Sequence, residues 1–257
     1  MNIKQVAVQL YTVREFLKTP ADIAASLQKI RAIGYEAVQV SGMGPIPAAE
    51  LMRMLRGEGL TCCATHENGT EILDAPHSIV ERLHELDCRI TAYPFPAGID
   101  LTTLAAVEAF ANKLNAAGKV LHDAGQVLCY HNHHMELRRI GGRSVLEIIY
   151  AATDPRCLQG EPDTYWLQYG GGDPAQWCIR LAGRLPILHI KDYAINAQNQ
   201  PVFSEIGNGN LNWSRIIAAA DAAGCQWYAV EQDTCPGDPF ASLRQSFDYI
   251  RTNLCQA

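Results

Sequence analysis

VLCYHNHHMEL, residues 127–137, joins an apolar run of strand character, Val127, Leu128, Cys129 and Tyr130, directly to His131, Asn132, His133 and His134. Packing does not explain three imidazoles at a strand end, because each ring nitrogen taken out of water needs a partner. The two-residue period of a strand puts His131 and His133 on one side and Asn132 and His134 on the other. Three later strand-like runs also end in a residue able to bind a metal: Asp163 in EPDTYW, His189 in PILHIKD and Glu231 in WYAVEQD.

On both sides of that stretch, short β-rich runs alternate with amphipathic helical ones along the whole chain. Strands are predicted at residues 6–10, 37–40, 60–65, 89–93, 127–130, 158–166, 186–190 and 227–231, the sixth weakened by Gly160 and Pro162. Helices are predicted at residues 20–33, 47–56, 76–86, 101–124, 144–151, 173–182, 213–223 and 239–252, with Gly34 stopping the first. Residues 194–210, which carry IGNGN, are polar and turn-rich and read as a long loop over a site. Eight βα units of about 32 residues each match a (β/α)₈ TIM barrel, an α/β fold forming one domain over residues 1–257. A doubly wound sheet would place a glycine-rich phosphate turn after the first strand, where QLYTVREF stands instead. Functional side chains gather at several strand ends: Gln9 and Tyr11, His66 and Glu67, His131 and His133, Asp163, His189 and Lys191, Glu231 and Asp233. Barrel enzymes distribute their chemistry over the C-terminal rim in this way.

Composition narrows the class. Hydrophobic residues make up 48% and charged residues 19%, and no apolar run nears the roughly 18 residues that span a bilayer, so no membrane partner is expected. The opening MNIKQVAVQLYTVREF enters a strand without the apolar core of a secretory signal, which makes a cytoplasmic protein the expectation. A net charge of −6 without a basic block argues against nucleic acid. The nine cysteines form no CxxC pair and read as reduced, mostly buried thiols.

His131, Asp163, His189 and Glu231 come from four successive strands and are the candidate metal ligands, Glu231 also being the candidate base. Two imidazoles with two carboxylates make a mixed N/O site that suits Mn²⁺, Co²⁺, Zn²⁺, Fe²⁺ or Ni²⁺ better than Ca²⁺. One divalent metal ion, with Mg²⁺ also admitted, is the expected cofactor. Such an ion, chelating a carbonyl and its neighbouring hydroxyl, acidifies the C–H between them and stabilises the enediolate left when a base takes the proton. Reprotonation gives isomerisation or epimerisation; loss of a β-substituent gives elimination. Asp192 and Asp233 are candidate partners for ligating imidazoles. Lys191 is placed to meet a substrate oxygen, with Tyr11, His66 and Trp166 as further substrate-binding residues, and Tyr165 beside Trp166 as a second possible pocket wall.

GYEAVQV, CYHNHHMEL, DTYW with GGDP, HIKD, IGNGNLNW and VEQD together resemble the xylose-isomerase-like TIM-barrel superfamily of sugar (phosphate) isomerases and epimerases, over essentially the whole length. In that family a glutamate, an aspartate, a histidine and a glutamate from strands five to eight hold one divalent ion, which implies metal roles for Asp163, His189 and Glu231. His131 stands where the family's fifth-strand glutamate is usual. A metal-bound imidazole is a poor substitute base, so in an epimerase His133 or Glu67 would supply the second proton. The H-x-H pattern with EQD also looks like the inosose dehydratase branch, which implies a keto-sugar lyase as the alternative. A sugar-binding protein without catalysis is the alternative of another class. The superfamily's endonuclease branch is disfavoured by the acidic charge. The resemblance thus implies a small sugar or polyol substrate, and barrels of this group often pair through rim helices, so a homodimer is the expected assembly.

Overall fold

The computed structural model describes residues 1–255. Its first half runs β1 (Val6–Gln9), α1 (Pro20–Ile33), β2 (Ala37–Val40), α2 (Ala48–Gly57), β3 (Thr61–His66), α3 (Gly69–Asp74), α4 (Pro76–Glu85), β4 (Ile90–Tyr93), α5 (Leu104–Asp123) and β5 (Val127–His131). A two-stranded hairpin, β6 (Arg139–Ile140) and β7 (Arg143–Ser144), leads into α6 (Val145–Ala151), β8 (Gln159–Glu161), α7 (Thr164–Tyr169), α8 (Pro174–Arg180) and β9 (Ile187–Ile190). The chain finishes with β10 (Asp192–Ile195), β11 (Pro201–Ser204), α9 (Trp213–Ala222), β12 (Trp227–Val230) and α10 (Pro239–Asn253).

Local chemistry sets these boundaries. The Thr19 side chain accepts from the Asp22 amide while Asp22 reaches back to the Thr19 amide, and Pro20 fills the first turn of α1. Ile23, Leu27 and Ile30 are buried on one face, and Gly34, at φ 125°, ends the helix. Ser144 and Glu147 make the same reciprocal cap at α6. On α5, Val107, Phe110, Ala111, Leu114 and Leu121 are buried at helical spacing.

Eight strands pair in parallel in the order β8-β5-β4-β3-β2-β1-β12-β9. One parallel bridge, Asp163 to His189, joins the two ends, and the His189 amide donates to the Pro162 carbonyl at 3.0 Å. The result is a nearly closed (β/α)₈ barrel. Its seam is sparse because Pro162 has no amide to give and β8 is only three residues long.

Three sequence expectations are corrected here. The predicted sixth strand, residues 158–166, stops at Glu161. The Asp163 side chain accepts from the Trp166 amide and caps α7, so Tyr165 and Trp166 lie on a helix rather than a strand. Residues 194–210 are not all loop, since β10, which begins at Asp192, and β11 pair antiparallel over their first part. An additional short helix, α3, precedes α4, capped by Asn68.

The barrel interior has a clear order. Ala7, Ala37, Ala64, Ala92, Cys129, Ile187 and Ala229 form a core cluster of mostly small residues. Two residues further along from six of these seven stand Gln9, Gln39, His66, His131, His189 and Glu231, as the two-residue period of a strand requires, while Ala92 is followed by Pro94. The apolar layer therefore floors a polar one at the carboxyl rim.

Candidate active site at the carboxyl rim

Glu161, at the end of β8, lies at the bottom of the polar layer and is fully buried. Its Oε1 faces His66 Nε2, His131 Nδ1 at 3.4 Å and His189 Nε2 at 2.9 Å, while Oε2 accepts from Gln39 Nε2 at 2.8 Å. Burial alone would raise this carboxyl, but the imidazoles, His189 foremost, hold it well below the usual carboxylate range. Burial also works against a proton on His189, yet the Glu161 and Glu231 carboxylates prevail and lift it to about 10. Its Nδ1 is 3.0 Å from Glu231 Oε2 and 3.8 Å from Asp163 Oδ2, and its Nε2 is 2.7 Å from Gln39 Oε1. His131 goes the other way: burial first, then the charge of His189, lowers it to about 3, so its ring is neutral.

Above this floor the Lys191 ammonium, on a side chain only 1% exposed, touches three carboxylates: Glu231 at 2.7 Å, Asp233 at 2.9 Å and Asp163 at 3.0 Å. Burial disfavours the charged amine, but the three anions outweigh it and keep it protonated. In return, Lys191 and His189 hold Glu231 well below its ordinary value despite burial. For Asp163 burial dominates and raises the carboxyl to about 6.

Two overlapping sets of donors have ligand atoms within 4.8 Å of one another: His131, Asp163, His189 and Glu231, and His66, His131, Glu161 and His189. The first set is the four-strand group read from the sequence. Its chemistry fits a divalent ion, with a neutral imidazole on His131 and buried carboxylates on Asp163 and Glu231. His131 Nδ1 and Asp163 Oδ2 are buried without a well-directed hydrogen bond, as atoms kept for another partner would be. The Lys191 ammonium is the cation now nearest these carboxylates.

A cavity of 540 Å³ opens over the cluster, lined by Tyr11, His66, His131, His133, Lys191 and Glu231 among others. A slightly larger surface depression, 610 Å³, lies away from it between α1 and α10. His133 faces the cavity with Nδ1 unpaired; burial, then His131 and Lys191, depress it to about 2. Trp166 packs on His133, centroids 5.4 Å apart, and its buried indole N–H is also unpaired. Tyr165 packs beside it, 4.1 Å from the Phe203 ring centroid.

Several expected roles take a different form. Glu67 reaches the cavity, but Arg82 Nε holds both of its oxygens, at 2.9 and 3.0 Å, which ties up the carboxylate a base would need. Asp192 does not support an imidazole: it accepts from the amides of Gly207, Gly209 and Leu211 and from Trp213 Nε1, and so shapes the IGNGNLNW segment. Asp233 pairs with Lys191 rather than with a histidine. Glu161 was not among the residues read from the sequence: the residue two places before it is the polar Gln159, and only the pairing of β8 with β5, which sets Glu161 opposite His131, places it in the layer. The cysteines that are described carry free thiols, seven of them buried.

A barrel whose rim carries a buried imidazole and carboxylate cluster under an open cavity belongs to a recognised class of α/β barrels. Residues 27–253 match the family model described as xylose isomerase-like TIM barrel, and the chain belongs to that family. A curated inosose dehydratase from Geobacillus thermodenitrificans (strain NG80-2) is 28% identical over 155 residues, 54% of this chain. The match spans about half of that relative's length, 51%. A sugar phosphate isomerase/epimerase from Parabacteroides distasonis ATCC 8503 superposes with a TM-score of 0.83 at 24% identity, covering 98% of this chain and 99% of the other. An L-ribulose 3-epimerase superposes with a TM-score of 0.74 at 15% identity, covering 99% and 95%. At these identities the two superpositions speak to the fold. Among the described residues no helix is long and apolar enough to cross a membrane.

Proposed function

We propose that this protein is a divalent-metal-dependent sugar isomerase or epimerase, acting on a keto or aldo sugar or a polyol through an enediolate. The observation that carries the reading is the convergence of His131, Asp163, His189 and Glu231 donor atoms within 4.8 Å, beneath a cavity of 540 Å³. The family and its epimerase-like relatives support it. These four residues would hold the ion, which supplies Lewis-acid stabilisation of a substrate oxygen when bound. Glu231, ionised beside Lys191, is the proton acceptor of choice at the cavity floor. His133, which lines the cavity with Nδ1 unpaired, orients a substrate oxygen, and Lys191 offers its positive charge to another, while Trp166 packs behind His133 and does not line the cavity.

A dehydratase is the second reading, favoured by a specific shortage. Glu67 is held by Arg82 and His133 is hard to protonate, so a second proton carrier for two-face epimerisation is scarce. Loss of a β-hydroxyl needs an acid at the leaving group instead, and Asp233, with its carboxyl raised by burial, lines the same cavity. The inosose dehydratase relative points the same way.

Metal analysis of purified wild type beside His131→Ala and Glu231→Ala tests the proposal. Close to one equivalent of ion in wild type, and a large loss of affinity in both variants while each still unfolds in a cooperative thermal transition, is the expected result. A wild type that binds no divalent ion between pH 7 and 9 overturns it.

A further inference from the structure

We propose that the substrate is a sugar carrying a second ring, and that this ring lies in a groove between the loops following β1 and β12. The inference rests on the sugar-enolising reading. β1 and β12 are neighbours in the barrel, paired Val6 to Tyr228 through Val8 to Val230, so the segments leaving their carboxyl ends run side by side on the rim. One is the 3₁₀ segment Leu10–Phe16; the other is residues 231–238. Between them lies a cavity of 590 Å³ that shares Arg14, Asp233 and Thr234 with the 540 Å³ cavity over the imidazole and carboxylate cluster. The two are adjoining halves of one trough. Pockets of roughly 300–1,000 Å³ hold ligands of several rings, so each half has room for at least one.

Arg14 is fixed at the junction. Its guanidinium donates to the Tyr11 carbonyl at 2.9 Å and the Asp233 carbonyl at 3.1 Å and lies 4.2 Å from the Tyr11 ring centroid, leaving further N–H donors toward the trough. Beyond it the lining suits a hydroxylated ring. Phe16, 43% exposed, gives aromatic surface for C–H groups with Lys29 Nζ 5.8 Å from its ring centroid, Thr12 still has its hydroxyl proton to donate after Oγ1 accepts from the Gln232 amide, Asp238 keeps one oxygen after capping α10, and Glu15 is shared with Lys18 at 3.3 Å. Acidic and basic groups alternate there, which suits a neutral polyhydroxylated ligand better than a phosphate or a fatty chain.

Deuterium wash-in from D₂O is compared for keto-hexoses and for the same keto-hexoses bearing a glucosyl or an aryl group, using metal-loaded wild type, Phe16→Ala and Lys29→Ala. The two-ring compounds are expected to exchange with kcat/KM higher by about tenfold or more in wild type, each variant removing much of that advantage and sparing the one-ring compounds. Equal kcat/KM for one and two rings, or variants that slow both alike, overturns the proposal. If wild type exchanges no compound, the enolising reading is what has failed. The groove is then judged by calorimetric titration with the corresponding one-ring and two-ring alcohols, where tighter binding of two rings that Phe16→Ala abolishes supports it and equal binding refutes it.

Discussion

Single residues in this site are tuned against one another. Glu161 faces His131 and His189 together, yet the first ring is neutral and the second charged, because His189 also meets Glu231. Stability of the metal-free protein therefore depends on pH on both sides of neutrality. His131 and His133, lowered from 6.5 to about 3 and about 2, leave the unfolded chain binding more protons below about pH 6.5, so stability falls as pH drops toward 3. His189, raised from 6.5 to about 10, contributes stability that is complete below 6.5 and is lost as pH rises through 10. Melting temperature in chelator across pH 4 to 10 should peak near neutrality; a profile that falls between pH 4 and 6.5, or that goes on rising between pH 6.5 and 10, would contradict the assignment. Lys191 acts against a bound ion. Its ammonium neutralises Asp163, Glu231 and Asp233 in the metal-free protein and competes with a divalent ion for two of them. Lys191→Met should lower the metal-free melting temperature and at the same time tighten metal binding by several-fold or more. Weaker metal binding in that variant would show that the lysine supports the ion instead.

At the scale of strands and loops, most of the site was legible as a pattern. His131, His189 and Glu231 each follow an inward-facing small or aliphatic residue by two places, Cys129, Ile187 and Ala229, so periodicity alone put them on the rim. Asp163 was readable as a candidate ligand, but its place as a helix cap was not: capping α7 turns the chain into a helix and moves Trp166 off the strand. Local propensity favoured a strand through Tyr165 and Trp166, and the cap overrode it. Glu161 was hidden by Gly160 and Pro162, which made the sixth strand look irregular. β5 nevertheless registers His131 against Glu161 and fixes it in the polar layer. The role of Asp192 depends on four donors from residues 207–213 meeting in space, which spacing along the chain does not reveal. Glu161→Gln tests the importance of the floor. The amide cannot set a negative charge beside the three imidazoles as the carboxylate does, and metal affinity should fall by roughly 10–100-fold. An unchanged dissociation constant, measured by competition with a chromogenic chelator, would reduce Glu161 to a packing residue.

For the whole molecule, the barrel explains why residues as distant in the chain as Gln39, His131 and Glu231 meet. Eight parallel strands aim their carboxyl ends at one rim, and mostly small residues below leave that rim to polar side chains. The seam at Asp163 and His189 lies within the same site, so closing the barrel and placing two candidate ligands are one structural event. The number of βα units and their order were readable from alternation and length; the β10–β11 hairpin beside the site was not, because its polar residues look like loop until paired. The central claim is metal-dependent removal of a proton next to a sugar carbonyl. Mass-spectrometric deuterium wash-in from D₂O, with keto sugars and inososes as substrates, measures it directly. Wild type stripped of metal should incorporate none, readdition of a divalent ion should restore one deuteron at the carbon beside the carbonyl, and Glu231→Gln should abolish it, while the products distinguish isomer from dehydrated sugar. Exchange that persists in chelator, or that Glu231→Gln leaves intact, would contradict the account.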